Sequence, residues 1–365
     1  MQTGANSIRF RHYLSAISGN NMKTIEAYFK AAIKANASDV HLVSGQLAAM
    51  RVDGQLRLLE DEPLSANELQ EAIFAMLTPQ QRHRFTESLE LDISHTLDDV
   101  RFRINLHQQS GAIGLAARLI PKAIPTPQDL RLGPQITELT KLLDGLVLVV
   151  GPTGHGKSTT IASLIEEINK TRAAHIITIE DPVEFVFDAK QSLVEQREIG
   201  VDTHSFAQAL KYVLRQDPNV ILVGEMRDPE TISMALTAAE TGHLVFSTLH
   251  TPSAAEAVER IVDVFEGARQ KQVLEQLAAV LRVVVTQQLL PKLGGGRVAA
   301  YEILVNTSAV SNLIRENNIP QIRNAITTGT QHGMLTMDNS IKALFESGLI
   351  DATIAMNRVA RQRKV

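Results

Sequence analysis

Gly151-Pro152-Thr153-Gly154-His155-Gly156-Lys157-Ser158-Thr159 decides the reading of this chain. Before it runs Leu146 to Val150, short, β-branched and apolar, the pattern of a buried parallel strand. After it, from Thr160 to Ile168, apolar residues recur at helical spacing. Glycines between a strand and a helix are the setting of a Walker A loop. Glycine lets successive backbone N–H groups turn inward around phosphate oxygens, and the new helix adds the positive end of its dipole. Lys157 is then the candidate for the β- and γ-phosphates, and Ser158 the candidate Mg²⁺ ligand. A glycine turn with a chance Lys-Ser is the plain alternative. The presence of every fixed position in the right context argues against it.

Outward from this loop, β-branched runs alternate with helical patterns. Candidate strands are Leu146 to Val150, His175 to Ile179, Val220 to Gly224 and Leu244 to Thr248. Helical patterns fall at Ser205 to Gln216, Glu230 to Thr241 and Ala254 to Phe265. Such alternation builds a parallel sheet with helices on both faces, binding ligands at the carboxyl ends of its strands. Three candidate strands run into an acid or a histidine at that end: Glu180-Asp181, Glu225 and His250. From about Thr307 the chain reads as helical, with Asn306-Thr307-Ser308-Ala309 as helix-start candidates. Arg358, Arg361, Arg363 and Lys364 form a basic, solvated tail.

Upstream, residues 23–120 read as a separate α+β domain of about one hundred residues. Ile25, Phe29, Ala32 and Ile33 mark one helix face, and Asp39 to Val43 a strand. Asp53-Gly54 between two β-like runs signals a hairpin. Helices are expected over Ala66 to Leu77 and Pro79 to Leu89, and strands over Leu91 to Thr96, Val100 to Gln108 and Ala112 to Ile120. Val100 to Asn105 alternates, so Arg101 and Arg103 face away from Val100, Phe102 and Ile104, with Arg118 on the next strand. That face is either solvated or a guanidinium cluster for a nucleotide phosphate. Pro121, Pro125, Pro127 and Pro134 mark residues 121–136 as an interdomain linker. Residues 1–22 are a polar extension.

Composition narrows the class. The 365 residues include no Cys, which removes disulfides and thiolate metal sites. A net charge of −4, 4% aromatics and no Trp argue against a nucleic-acid partner. No apolar run reaches the length of a membrane span, and residues 1–22 lack a signal peptide's apolar middle, so a cytosolic protein without direct membrane insertion is expected.

Phosphoryl transfer needs charge neutralisation and a positioned water. Glu225 ends the apolar strand Val220-Ile221-Leu222-Val223-Gly224, as in a Walker B strand, although Gly224 stands where many P-loop ATPases carry a Mg²⁺-binding Asp. Glu225 is read as holding the attacking water, or alternatively as ion-paired with Arg227. Glu180, Asp181 and Glu184 form a second acidic cluster, or else a decorated Asp-Pro turn. His243 and His250 bracket Leu244 to Thr248. They are read as structural, as sensing the γ-phosphate, or as bridging to a neighbouring subunit.

At these residues the chain resembles the PilT family of type IV pilus retraction motors, within the secretion ATPases. Four boxes stand in order: Walker A from Gly151 to Thr159, an Asp box from Thr178 to Glu184, Walker B from Asp217 to Asp228 and a His box from Thr241 to Thr251. The resemblance implies a homohexameric ring with a PAS-like N-terminal domain over residues 23–120. It also implies a RecA-like α/β ATPase domain over residues 137–365, with ATP and Mg²⁺ held between the two domains. It implies phosphate contacts from Arg103 and Arg118, with Arg101 beside them, catalytic roles for Glu184 and Glu225, and interdomain roles for His243 and His250. His155 departs from the family's small residue and is expected to point outward. Val310-Ser311 departs from the Ile-Arg of the retraction motif.

The expected function is ATP-driven pilus retraction, powering twitching motility. The motor would work at the inner face of the cytoplasmic membrane, on an inner-membrane platform protein. Lys157, Gly151, Pro152, Thr153, Gly154, His155, Gly156, Ser158 and Thr159 would hold ATP, with Glu180, His243 and His250 nearby. Alternatives are an accessory retraction ATPase, a type II/IV secretion-system motor, or, in a different class, a nucleic-acid translocase.

Overall fold

The computed structural model describes residues 24–356 except 53, 54, 60 and 121. The extension at residues 1–22, the turn Asp53-Gly54, Pro121 and the basic tail Arg358, Arg361, Arg363 and Lys364 lie outside the described residues. The chain divides into two compact units after Ala123.

In the first unit a helix over Ile25–Lys34 begins at Thr24, whose side chain caps Ala27 N–H. It buries Ile25, Tyr28, Phe29 and Ala32, following the apolar spacing of its sequence. Ser65 and Thr78 start the helices Ala66–Met76 and Pro79–Ser88, each with a reciprocal capping box. These helices accompany a six-stranded sheet in the order β3-β2-β1-β6-β5-β4. Its strands are β1 Asp39–Val43, β2 Ala49–Val52, β3 Gln55–Leu58, β4 Glu90–Leu97, β5 Val100–Gln109 and β6 Ala112–Ile120. All the pairings are antiparallel, and Val52 faces Gln55 across the expected hairpin. In β5, Phe102 and Ile104 are fully buried while Arg101 and Arg103 are not, as the alternation requires.

The second unit is built on a seven-stranded sheet, order β13-β12-β7-β11-β10-β8-β9. Its strands are β7 Gly145–Val150, β8 His175–Glu180, β9 Leu193–Glu198, β10 Val220–Val223, β11 Leu244–Leu249, β12 Leu281–Pro291 and β13 Arg297–Val305. β12, β7, β11, β10, β8 and β9 run parallel; β13 returns antiparallel to β12. β7, β10 and β11 are buried along their whole length, which explains their uninterrupted apolar sequence. Helices over Lys157–Thr171, Phe206–Val213, Pro229–Glu240, Ala254–Asp263 and Ala268–Val280 connect the strands. Thr307 caps the first C-terminal helix, Ser308–Arg315. This second unit has a RecA-like α/β architecture and follows the smaller α+β unit in sequence.

β9, β12, β13 and the helix Ala268–Val280 were not among the sequence expectations. β9 reads Leu-Val-Glu-Gln-Arg-Glu, an edge strand without a clean apolar alternation. β12 follows the helix directly at Leu281, so no turn residue announces it.

Candidate active site

β7 delivers the chain into the loop at Gly151, whose φ is +141°. A Cβ there would lie 2.3 Å from the Gln287 carbonyl oxygen, and one at Gly156 would lie 2.9 Å from Gln287 Nε2. Only glycine allows this approach of the loop to β12. The helix beginning at Lys157 has no side-chain cap from any described residue, so its first-turn N–H groups are available to an anion. Lys157 is 7% exposed, and its Nζ donates to the carbonyls of Gly151 at 2.8 Å and Pro152 at 3.1 Å. Burial pushes its pKa down, against the pull of Glu225 and Glu184. A cation held under that penalty gains from an incoming phosphate.

Ser158 lines a small cavity of about 40 Å³ together with Glu180, Gly224 and Thr248. The Ser158 hydroxyl there is a hard oxygen donor of the kind that suits Mg²⁺. Gly224 is tightly placed: a Cβ would meet the Ile179 carbonyl oxygen at 3.2 Å. The packing of β10 against β8 therefore disfavours an aspartate at this position.

Glu225 and His250 meet at the carboxyl ends of β10 and β11. Glu225 Oε1 is 2.8 Å from Arg227 Nε, and its Oε2 is 3.6 Å from His250 Nε2. Both readings of Glu225 are thus compatible, since one oxygen holds Arg227 and the other faces His250. His250 Nδ1 lies 3.2 Å from Thr153 Oγ1 and 3.4 Å from Lys157 Nζ. Two donors facing Nδ1 place its lone pair there and the ring proton on Nε2, toward Glu225. Burial and the Lys157 charge push the His250 pKa down, which keeps the ring neutral at pH 7. A cleft of about 430 Å³ opens beside Glu225, Arg227, His250 and Arg260.

The Asp box leaves β8. Glu180 accepts hydrogen bonds from Thr178 Oγ1 at 2.7 Å and Gln196 Nε2 at 3.3 Å. Burial dominates and raises its pKa to about 7. The segment carrying Glu184 is held by side chains remote in sequence. Val183 N–H donates to Glu198 Oε2 at 3.1 Å, and Gln196 clamps the Phe185 carbonyl at 2.8 Å and the Phe187 N–H at 2.9 Å. Asn169, fully buried on the P-loop helix, accepts Lys190 N–H at 3.2 Å. So placed, Glu184 acts on Lys157 through its charge.

Two expectations need correction. His155 does not point outward: its Nδ1 accepts the Leu289 N–H at 2.9 Å. β12 runs on past the end of β7, where Thr286 pairs with Val150, and so reaches the loop. His243 is not brought to the phosphate site of its own unit. It precedes β11 and accompanies the start of β7, where its ring nitrogen is 2.9 Å from the Ala238 carbonyl. At about 3.3 Å per residue, the strand separates it from His250 by roughly 20 Å.

Within the first unit, strand register gathers the arginines. Arg103 lies opposite Arg118, and Arg118 opposite Asp39. Asp39 binds Arg118 Nε at 2.9 Å and Arg51 Nε at 3.7 Å, while Arg101 Nη2 donates to Ser94 Oγ at 2.7 Å. The expected guanidinium row is present, with one carboxylate offsetting part of its like-charge repulsion.

The family model described as "Type II/IV secretion system protein" matches residues 17–295. This chain belongs to that family. It is 47% identical over 318 residues to "Type IV pilus retractation ATPase PilT" of Pseudomonas aeruginosa, covering 87% of this chain and 92% of that protein. It is 47% identical over 311 residues to "Twitching motility protein" of Neisseria gonorrhoeae, covering 85% of this chain and 83% of that one. A crystal structure of the pilus retraction motor PilT with bound ADP superimposes with a TM-score of 0.83 at 45% identity, covering 92% of this chain and 96% of the other. These relatives bear out the PilT-family resemblance read from the four boxes.

Proposed function

We propose that this secretion-family chain is a Mg²⁺-dependent ATPase that powers type IV pilus retraction as a homohexamer. The observation that carries the chemistry is the single network joining Lys157, Thr153, His250 and Glu225 beside the glycine loop. The loop amides and Lys157 bind the phosphates. Ser158 would hold Mg²⁺, which when bound would neutralise phosphate charge, with Glu180 nearby in the same cavity. Glu225 orients the attacking water, and Glu184 assists. His250, neutral and with Nε2 facing Glu225 at 3.6 Å, stands between that carboxylate and the loop. The family resemblance gives Arg101, Arg103 and Arg118 a role in contacting phosphate and His243 an interdomain role. The partner is an inner-membrane platform protein, reached from the cytoplasmic face; no helix among the described residues is long and apolar enough to cross a membrane.

Glu225→Gln tests the reading. It should bind ATP but lose about 10²- to 10⁴-fold in phosphate release, the range for a positioned base. Normal turnover would remove Glu225 from the mechanism. In cells carrying only this allele, excess pili that never retract support a retraction motor. Bald cells would mean that the motor drives assembly.

One observation favours a second reading, an accessory retraction ATPase or a secretion-system motor. Val310 and Ser311 are buried, and Ser311 Oγ donates to the Ala278 carbonyl at 2.8 Å. No guanidinium is presented at this point of the retraction motif. Unchanged pili in the Glu225→Gln strain would select this reading.

A further inference from the structure

We propose that β12 braces the phosphate loop through His155 and Gln287, making both positioning residues for nucleotide. The inference rests on the reading of Gly151 to Thr159 as the nucleotide site. Three contacts cross from the β12–β13 pair to the loop. Leu289 N–H donates to His155 Nδ1 at 2.9 Å. Gln287 Nε2 donates to the His155 carbonyl at 2.8 Å. Arg297 Nη1 donates to the Gly154 carbonyl at 3.3 Å. Gln287 is itself locked: it is 2% exposed, and its Oε1 accepts the hydroxyl of buried Thr160 at 2.7 Å.

The geometry gives these contacts a purpose. A trans peptide is planar, with its C=O and the following N–H pointing in opposite directions. Drawing the Gly154 and His155 carbonyls toward β12 therefore turns the N–H groups of His155 and Gly156 the other way, toward the inside of the loop. Those are the donors a phosphate needs. The His155 ring adds a tie that a serine at this position is too short to make in the same way. It also gives Leu289 N–H, directed off the β12–β13 ladder, an acceptor.

The test compares wild type, His155→Leu, His155→Asn and Gln287→Leu, titrated with fluorescent ADP and melted without nucleotide. His155→Leu fills similar space but lacks the acceptor, and should weaken ADP about five- to tenfold, the value of one hydrogen bond. His155→Asn restores an acceptor near Nδ1 and should recover most of that loss. Gln287→Leu should lose more, because it frees the His155 carbonyl and strands the Thr160 hydroxyl. If it melts early, the double variant Gln287→Leu/Thr160→Val removes the stranded group and isolates the brace. Wild-type ADP affinity in His155→Leu, or equal losses in the Leu and Asn variants, would overturn the brace. Failure of wild type to bind ADP would instead overturn the nucleotide site itself.

Discussion

Replacing Gly151 by alanine separates the shape of the phosphate cradle from its mere flexibility. The added Cβ would fall 2.3 Å from the Gln287 carbonyl oxygen, where ordinary contact begins near 3.4 Å. Loop or strand must therefore move by roughly 1 Å, and β12 is hydrogen-bonded to β7 and β13 on either side. The φ of +141° adds a cost of about 1–3 kcal/mol for a residue with a side chain. Together these place about 2–4 kcal/mol against the phosphate-binding conformation, or about 30- to 700-fold in nucleotide affinity. Gly154 is the control. Its φ is +77°, but a Cβ there meets nothing within 4 Å, so alanine costs only the left-handed strain, about 1 kcal/mol or fivefold. Fluorescent ADP titration of both variants, with thermal melts to confirm folding, reads the difference. Equal losses at the two glycines, or wild-type affinity in Gly151→Ala, would refute the steric argument.

Other expectations follow from particular contacts. Glu180 keeps its proton up to about pH 7 when folded, against an ordinary value of 4.5, so its contribution to stability is present below pH 4.5 and lost as pH rises through 7. Glu180→Gln removes that dependence, and its melting temperature relative to wild type should climb between pH 5 and pH 8; a constant offset would contradict the burial of this carboxyl. Ser311→Arg must force a guanidinium into a position 8% exposed and break the bond to Ala278, destabilising by about 2–4 kcal/mol; an unchanged denaturation midpoint would show that the helix Ser308–Arg315 can rotate it to the surface. Gln196→Leu deletes the clamp on Phe185 and Phe187 and should cut turnover about tenfold or more while ADP binding changes less, because the displaced group is Glu184 rather than the glycine loop. Equal losses in both would place the damage elsewhere.

Much of the second unit was legible because its signals are local. The glycine loop, the Val220–Val223 strand with Glu225 after it, and the Thr307 cap each occupy a few consecutive residues, and their roles depend on those residues alone. The arginine face of β5 was legible for the same reason, since a period of two decides which side chains share a face. The neutral polar residues that support the site were not legible. Gln196 and Gln287 look like interruptions in a strand until the strand's neighbours are known. A buried amide in a strand pattern is a usable signal in hindsight, because it must find partners.

The sequence by itself thus determined that a phosphate loop would form, which carboxylates and histidine would follow the strands, and that one face of the first unit's sheet would carry arginines. Tertiary structure alone decided which of these groups meet. It put His250 against Lys157, left His243 at the far end of the same strand, and turned His155 from solvent onto Leu289. Gln287 and His155 are 132 residues apart, and their bond exists because β12 lies beside β7 in the sheet and outruns it. Local periodicity specifies a strand and its faces; the order of strands follows from how whole helices and strands bury their apolar surfaces together, which no short stretch encodes.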